Sequence, residues 1–178
     1  MEHSDSGKGL PENAQRELKP GEVYVPIVPQ ESGVREITRR TIAFGLSMMV
    51  LFAAAATYIA LKLGQGIETA IPIAVLAVGF SAVMTRKSSL LENVNILAIG
   101  ATSGIVVGGS VFVMPAIFML GLDKEAGLWG TFLTIFLVPF LGAVLGVLFL
   151  IPFRVYFTQQ MHGKLPFPEA TATTEILV

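Results

Sequence analysis

The residues best suited to chemistry in this sequence are the carboxylates and hydroxyls of its closing segment, residues 166–178. Two prolines open the segment, Glu169 follows them, and Thr171, Thr173 and Glu175 occupy alternate positions after it. Glu169 and Thr173 are four residues apart, as are Thr171 and Glu175, so each pair shares a helix face. Carboxylates at membrane depth are costly unless they face water or a partner, so the pattern favours the wall of a polar cavity. A surface loop that runs into a soluble helix is the alternative.

A second polar group, around Glu92, precedes a long apolar stretch. Ser89 and Glu92 have the spacing of a capping box, in which each side chain accepts from the other residue's backbone N–H. Asn93 and Asn95 extend this polar turn. Helix capping is one interpretation of Glu92. The other is a carboxylate near a cavity mouth that takes up a proton or meets a cationic group of a substrate, which makes both groups candidates for a substrate or proton pathway.

The composition places these residues in a membrane protein. Hydrophobic residues make up 53% of 178 and charged residues 14%, whereas about one quarter of the residues of a soluble domain are charged. The apolar residues collect in runs long enough to span a bilayer. We therefore expect an all-α, polytopic integral membrane protein with about four transmembrane helices and the start of a further helix or re-entrant segment.

Several classes of function do not fit this composition. The chain has no cysteine and two histidines, His3 and His162, so thiolate chemistry is excluded and a histidine-built metal site is not expected. A net charge of -1 gives no argument for nucleic acid as a partner. Serine proteolysis within a membrane needs a histidine in a span, and aspartyl chemistry needs paired aspartates. We expect neither, and we expect no enzyme activity, no cofactor and no bound metal.

The chain divides near residue 40. Residues 1–40 hold about half of the charged side chains, which predicts a mostly disordered cytoplasmic tail. Residues 41–178 form the membrane part. Its spans are expected at about 41–63, 67–84, 93–120 and 128–151. Because proline removes a backbone donor, we expect irregularities at Pro72, Pro115 and Pro139.

The basic residues that flank the spans predict the orientation. One side carries Arg35, Arg39, Arg40, Arg86, Lys87, Arg154 and Lys164, and the other carries only Lys62 and Lys124. Basic residues accumulate on the cytoplasmic side, so the N-terminus and the end of the fourth span are expected there.

Small residues recur on the third and fourth spans. Gly100, Gly104 and Gly108 repeat at every fourth position, and Gly142 and Gly146 give the fourth span a shorter version. Faces of this kind let membrane helices pack closely, and the same lack of bulk also suits the lining of a substrate path. Both interpretations stay open.

Several motifs, in order, resemble the oligopeptide transporter family. They are Tyr24-Val-Pro-Ile, Arg35-Glu-Ile-Thr-Arg-Arg-Thr-Ile, Thr57-Tyr-Ile-Ala-Leu-Lys-Leu-Gly, Ile71-Pro-Ile-Ala, Leu90-Leu-Glu-Asn-Val-Asn and Leu165-Pro-Phe-Pro-Glu-Ala-Thr-Ala. The chain is most similar to the prokaryotic branch that is related to the yellow-stripe metal-chelate transporters of plants. The resemblance covers nearly everything from Tyr24 to Val178.

The resemblance implies a proton-coupled secondary transporter that imports small peptides or metal-chelate complexes. It also implies a longer, all-helical protein in the cytoplasmic membrane of a prokaryote, of which this chain is the N-terminal part. Its partners would then be the lipid bilayer, the substrate and the remainder of the transporter. The alternative function is a non-transporting membrane subunit that assembles with other chains, or with its own copies, through glycine-faced helices.

Overall fold

The computed structural model describes residues 10–29, 33, 35–84 and 86–178. His3 and part of the predicted tail lie outside the described residues. Within them the chain forms helices and turns and no strand, which confirms the predicted all-α class. The α-helices are α1 (Arg39–Leu63), α2 (Ala70–Val83), α3 (Leu90–Val106), α4 (Met114–Met119), α5 (Leu122–Val155) and α6 (Pro168–Leu177). Turns with π-helical hydrogen bonds continue α3 through Val107–Val111 and α5 through Tyr156–Gln160.

Three helices of the described chain are long and apolar enough to cross a membrane: Arg39–Leu63, Leu90–Met119 and Leu122–Gln160. The second predicted span, 67–84, is helical only over the 14 residues of α2. A helix of that length rises about 21 Å, which is less than the hydrocarbon thickness of about 30 Å. The structure therefore has three long apolar helices and one short one where four complete spans were predicted.

Helix α1 has a defined start and end, and a non-helical segment follows it before α2 begins. Thr38 caps its start by accepting the Thr41 N–H at 3.1 Å. Gly64 ends it at a φ of 69°, a left-handed conformation that favours glycine because glycine has no Cβ. Residues 64–69 then run without helical structure as far as Thr69, the N-cap of α2. The chain thus reverses its direction in this non-helical segment before α2 begins.

The long helices α1 and α3 lie side by side and run in the same direction. Near their starts, a Cβ built on Gly45 would lie 3.0 Å from the Ile99 Cβ. Near their far ends, Ala56 and Ala60 form a buried cluster with Val107. These two points of contact fix the register of the pair along its whole length.

Helix α2 packs against α3 in the opposite direction, and two glycines of α3 form the contact. A Cβ on Gly100 would lie 2.9 Å from the Ile73 Cγ2, and one on Gly104 would lie 3.0 Å from the Thr69 Oγ1. The Thr69 hydroxyl, fully buried, lies 3.0 Å from the Ser103 hydroxyl. Only a residue without a side chain allows approach at this distance.

The other glycines named from the sequence have no such neighbour. A Cβ built on Gly108, Gly142 or Gly146 would meet nothing within 4 Å among the described residues. A packing role for these three glycines stays a prediction.

The expected irregularities occur at some of the prolines and not at others. The π-helical turn Val107–Val111 lies between α3 and α4, and Pro115 lies in the first turn of α4, so the helix is irregular just before this proline, where a kink or a break was predicted. Pro139, by contrast, lies within continuous helix, and the non-helical residue of α5 is Gly127, at a φ of 66°. Pro72 is in the first turn of α2, where the missing N–H costs little.

Helix α5 packs against little of the described chain. Thr131 is its only buried residue. Its surface carries a row of aromatic side chains, in which Phe132 stacks on Phe136 at 6.5 Å between ring centroids and Phe136 on Phe140 at 5.8 Å. A surface this apolar fits lipid or further protein rather than water.

Candidate functional site

Glu92 lies where α1, the connection from α2 and the start of α3 meet, and it is 2% exposed. The Ser89 N–H donates to its Oε2 at 3.1 Å, and the Glu92 N–H donates to the Ser89 Oγ at 3.2 Å. The capping box predicted from the sequence is therefore formed. It satisfies two backbone amides that a helix start otherwise leaves without partners.

The other carboxylate oxygen of Glu92 receives two donors from outside α3. The Thr38 hydroxyl donates to Oε1 at 3.0 Å, and the Arg86 Nη2 donates at 3.1 Å. The Thr38 oxygen lies 2.8 Å from the Thr41 hydroxyl. Since Thr38 gives its only hydroxyl hydrogen to Glu92, the Thr41 hydroxyl must be the donor of that pair. A directed chain of hydrogen bonds thus runs from the N-cap of α1 into the carboxylate.

Arg40 closes the same junction from the side of α1. Its Nη1 donates to the Arg86 carbonyl at 2.8 Å, and its Nη2 donates to the Ser88 hydroxyl at 3.1 Å. We call Glu92 with Thr38, Ser89 and Arg86 the Glu92 clamp. Its carboxylate is occupied by hydrogen bonds within the chain, so this geometry favours the capping interpretation over contact with a substrate.

The two asparagines that follow Glu92 differ in their surroundings. Asn95 donates from Nδ2 to the Glu36 carbonyl at 3.1 Å and to the Leu91 carbonyl at 3.0 Å. It therefore ties the segment before α1 to the first turns of α3. Asn93 is 6% exposed, and its Oδ1 has no hydrogen-bond partner among the described residues.

Helix α6 carries the other four candidate residues. The Thr173 hydroxyl, which is buried, donates to the backbone carbonyls of Glu169 at 2.9 Å and Ala170 at 3.0 Å. Bonds of this kind keep a threonine hydroxyl within its own helix. Glu169 and Glu175 are exposed, and Thr171 is half-buried. Helix α6 packs against α2 and, less extensively, against α3.

A cavity of about 970 Å³ lies between α6 and the chain that leads into it. Thr171 and Glu175 line it from α6, and Phe157, Thr158 and His162 line it from the end of α5 and the following loop. Of the four candidates on α6, the lining includes Thr171 and Glu175 and not Glu169 or Thr173. Volumes of about 300–1,000 Å³ are typical of sites for small molecules.

The N-terminal tail also reaches this cavity, which sequence reasoning missed. Ala14 and Gln15 line it, and the Gln15 Nε2 donates to the Glu175 Oε1 at 3.1 Å. The His162 Nε2 lies 2.9 Å from the Asn13 carbonyl oxygen. These partners are separated by about 150 residues of chain, and no local pattern signals such a contact.

The candidate residues thus fall into two groups, one at the start of α3 and one on α6. Within the described residues, no hydrogen bond or ion pair joins the two groups. The same part of the chain holds no group of three or more His, Asp or Glu side chains placed to bind a metal ion.

Comparison with known proteins assigns the chain to a family. Residues 36–178 match the family described as OPT oligopeptide transporter protein. A protein of Haemophilus influenzae, provisionally named an oligopeptide transporter, is 34% identical over 120 residues, which cover 67% of this chain and 18% of that protein. No solved structure matches the chain. The chain belongs to the oligopeptide transporter family, and it spans less than a fifth of the length of this relative.

Proposed function

We propose that this chain is the N-terminal part of a secondary active transporter that imports oligopeptides or metal-chelate complexes together with protons. Its family membership and its long apolar helices support a multi-pass membrane transporter. The resemblance of its motifs to the prokaryotic branch supports metal chelates as the second substrate class, and the distribution of basic residues supports a cytoplasmic N-terminus.

The observation that carries this proposal is the cavity beside α6. Its volume of about 970 Å³ accommodates a short peptide or a chelate. Its lining combines apolar side chains such as Phe157 with a few polar groups, among them the Thr171 hydroxyl and the Glu175 carboxylate. A carboxylate in such a place suits the amino terminus of a peptide or another cationic group of the substrate.

The proton carrier in this proposal is Glu169 of α6, because a protonated Glu175 could no longer pair with a cationic group of the substrate and Glu92 is held in its clamp. Glu169 and Glu175 are exposed on the described chain, whereas Glu92 is buried in its clamp. An exposed carboxylate exchanges protons with water as the cavity opens to either side of the membrane. The free energy of protonation differs between the two conformations, and this difference shifts the equilibrium between them. Alternating access around α6 couples the proton to the substrate.

Uptake by the full-length transporter tests the proposal. Proteoliposomes that contain the parent protein are given a labelled tripeptide with and without an inward proton gradient. We expect Glu169→Gln to remove the dependence of the initial rate on the proton gradient, and Glu175→Gln to reduce the gradient-driven initial rate at least tenfold. The matched control is Glu125→Gln, an exposed acid at the opposite end of α5 that lies outside the cavity lining. Equal gradient-driven uptake by the Glu175 variant, the Glu125 variant and the parent contradicts the assignment.

The subunit alternative has its own support in α5, of which only Thr131 is buried. A helix with so little contact inside the chain offers its apolar surface to another protein. This alternative predicts that residues 1–178 form an oligomer of defined size in mild detergent, which light scattering measures. A monomer, or aggregates without a defined size, contradicts it.

A further inference from the structure

Residues 11–22 form a compact loop, the tail loop, which is organised around Glu22. Arg16 donates to this carboxylate from Nη1 at 2.8 Å and from Nη2 at 2.7 Å, as a bidentate ion pair. The Lys19 N–H donates to it at 2.9 Å and the Asn13 Nδ2 at 3.3 Å. Hydrogen bonds from three residues to one side chain hold the tail loop in a defined shape.

The tail loop contacts the cavity through two hydrogen bonds. The Gln15 amide donates to the Glu175 carboxylate at 3.1 Å, and the Asn13 carbonyl lies 2.9 Å from the His162 Nε2. Since a carbonyl oxygen only accepts, this Nε2 must carry a hydrogen.

A third contact is between backbones and depends on Gly163. A Cβ built on Gly163 would overlap the backbone of Arg16 and Glu17. Gly163 also has a φ of 69°, which side chains rarely adopt. Any larger residue at this position must therefore displace the tail loop from the cavity.

We propose that the tail loop is an autoinhibitory segment that competes with the substrate for the Glu175 carboxylate in the cavity beside α6. This inference rests on the proposed function of that cavity. The Gln15 amide occupies the carboxylate that we assign to a cationic group of the substrate, so the docked tail loop competes with the substrate for this contact, although the cavity between them stays open. Because linkage is reciprocal, a substrate that weakens docking of the tail loop is itself bound with lower affinity when the tail loop is docked.

The test uses Gly163→Ala in the full-length transporter, with Gln15→Ala as a second variant that leaves the backbone unstrained. Gly121→Ala is the matched control, because Gly121 has a φ of 70° and a Cβ there would meet nothing within 4 Å of the described chain. Hydrogen–deuterium exchange of residues 10–24 and 158–165 measures docking. The initial rate of tripeptide uptake measures its consequence.

We expect faster exchange in both segments of Gly163→Ala and an initial rate of uptake two- to tenfold above the parent. The loss of one hydrogen bond shifts the docking equilibrium of the tail loop by roughly this factor. Gln15→Ala also raises the initial rate of uptake. Gly121→Ala has the same exchange and the same initial rate of uptake as the parent. Unchanged exchange in Gly163→Ala overturns docking, and faster exchange without faster uptake overturns autoinhibition. If neither the parent nor any variant takes up peptide, the proposed function itself fails, and this inference fails with it.

Discussion

The Glu92 clamp allows the sharpest prediction about stability, because its members differ greatly in burial. Glu92→Gln keeps the shape of the side chain and replaces one acceptor oxygen by an NH₂ group. The new NH₂ group then faces groups that donated to the replaced oxygen. These are either the Ser89 N–H or the Thr38 hydroxyl and the Arg86 guanidinium. A buried donor without an acceptor costs about 1–3 kcal/mol, and a hydrogen bond to a charged group contributes about 1.5–3 kcal/mol. We therefore expect Glu92→Gln to destabilise the junction by about 2–4 kcal/mol.

The comparison variant is Arg86→Gln, which removes the charge that faces Glu92. The Arg86 side chain is 69% exposed, although it donates to Glu92 at 3.1 Å. Because this charge lies mostly in water and the buried Glu92 carboxylate keeps its Thr38 and Ser89 donors, this variant should weaken the junction by about 1 kcal/mol or less. The two variants thus separate the contribution of buried hydrogen bonds from that of surface charge.

Hydrogen–deuterium exchange in reconstituted membranes measures both variants at the two amides of the capping box, those of Ser89 and Glu92. A loss of about 2–4 kcal/mol corresponds to exchange faster by a factor on the order of 10², where these amides exchange through local opening. The Arg86 variant is expected to change their exchange by less than about tenfold. If Glu92→Gln accelerates exchange no more than Arg86→Gln does, the reasoning about the clamp is refuted.

Two further predictions concern packing and the tail loop. Gly104→Ala places a Cβ about 3.0 Å from the Thr69 Oγ1, and we expect it to destabilise the protein by about 1–3 kcal/mol in detergent unfolding followed by circular dichroism. Gly79→Ala, whose Cβ meets nothing within 4 Å of the described chain, is expected to be neutral or stabilising by up to about 1 kcal/mol, and equal effects would contradict the packing argument. The Arg16 guanidinium and the neighbouring donors lower the pKa of Glu22 from 4.5 to about 2. Its contribution to the tail loop is therefore complete above about pH 4.5 and is lost as the pH falls towards 2, which carboxyl NMR of selectively labelled protein measures; a Glu22 pKa near 4.5 contradicts the ion pair.

The fold class and the start of α3 could be predicted because they depend on local signals. Composition and run length predict apolar helices, and the spacing of Ser89 and Glu92 predicts the start of α3 to within its cap. The late start of α2 was not predicted, although residues 64–69 (Gly-Gln-Gly-Ile-Glu-Thr) include two glycines and three polar residues that are typical of a loop. Their non-helical path depends on the space that Gly104 leaves on another helix.

The candidate site was predictable by residue type and not by arrangement. The sequence named Thr171 and Glu175, and both line the cavity. It also named Glu92, whose hydrogen bonds fit the capping interpretation better than contact with a substrate. It could not name Gln15 or His162, because their contacts join the tail to residues about 150 positions away. Contacts between segments that are far apart in the chain produce no periodic pattern in a single sequence.

The central claim, that substrate passes through the cavity beside α6, is tested most directly by a thiol at Thr171. These 178 residues contain no cysteine, so Thr171→Cys adds a single reactive group to this part of a full-length parent freed of its other cysteines. We predict that a water-soluble maleimide labels this thiol in membranes, and that a saturating tripeptide slows labelling at least fivefold. Labelling of Glu125→Cys, an exposed position outside the cavity lining, is expected to show no such protection. Labelling of Thr171→Cys at the same rate with and without peptide would contradict the account.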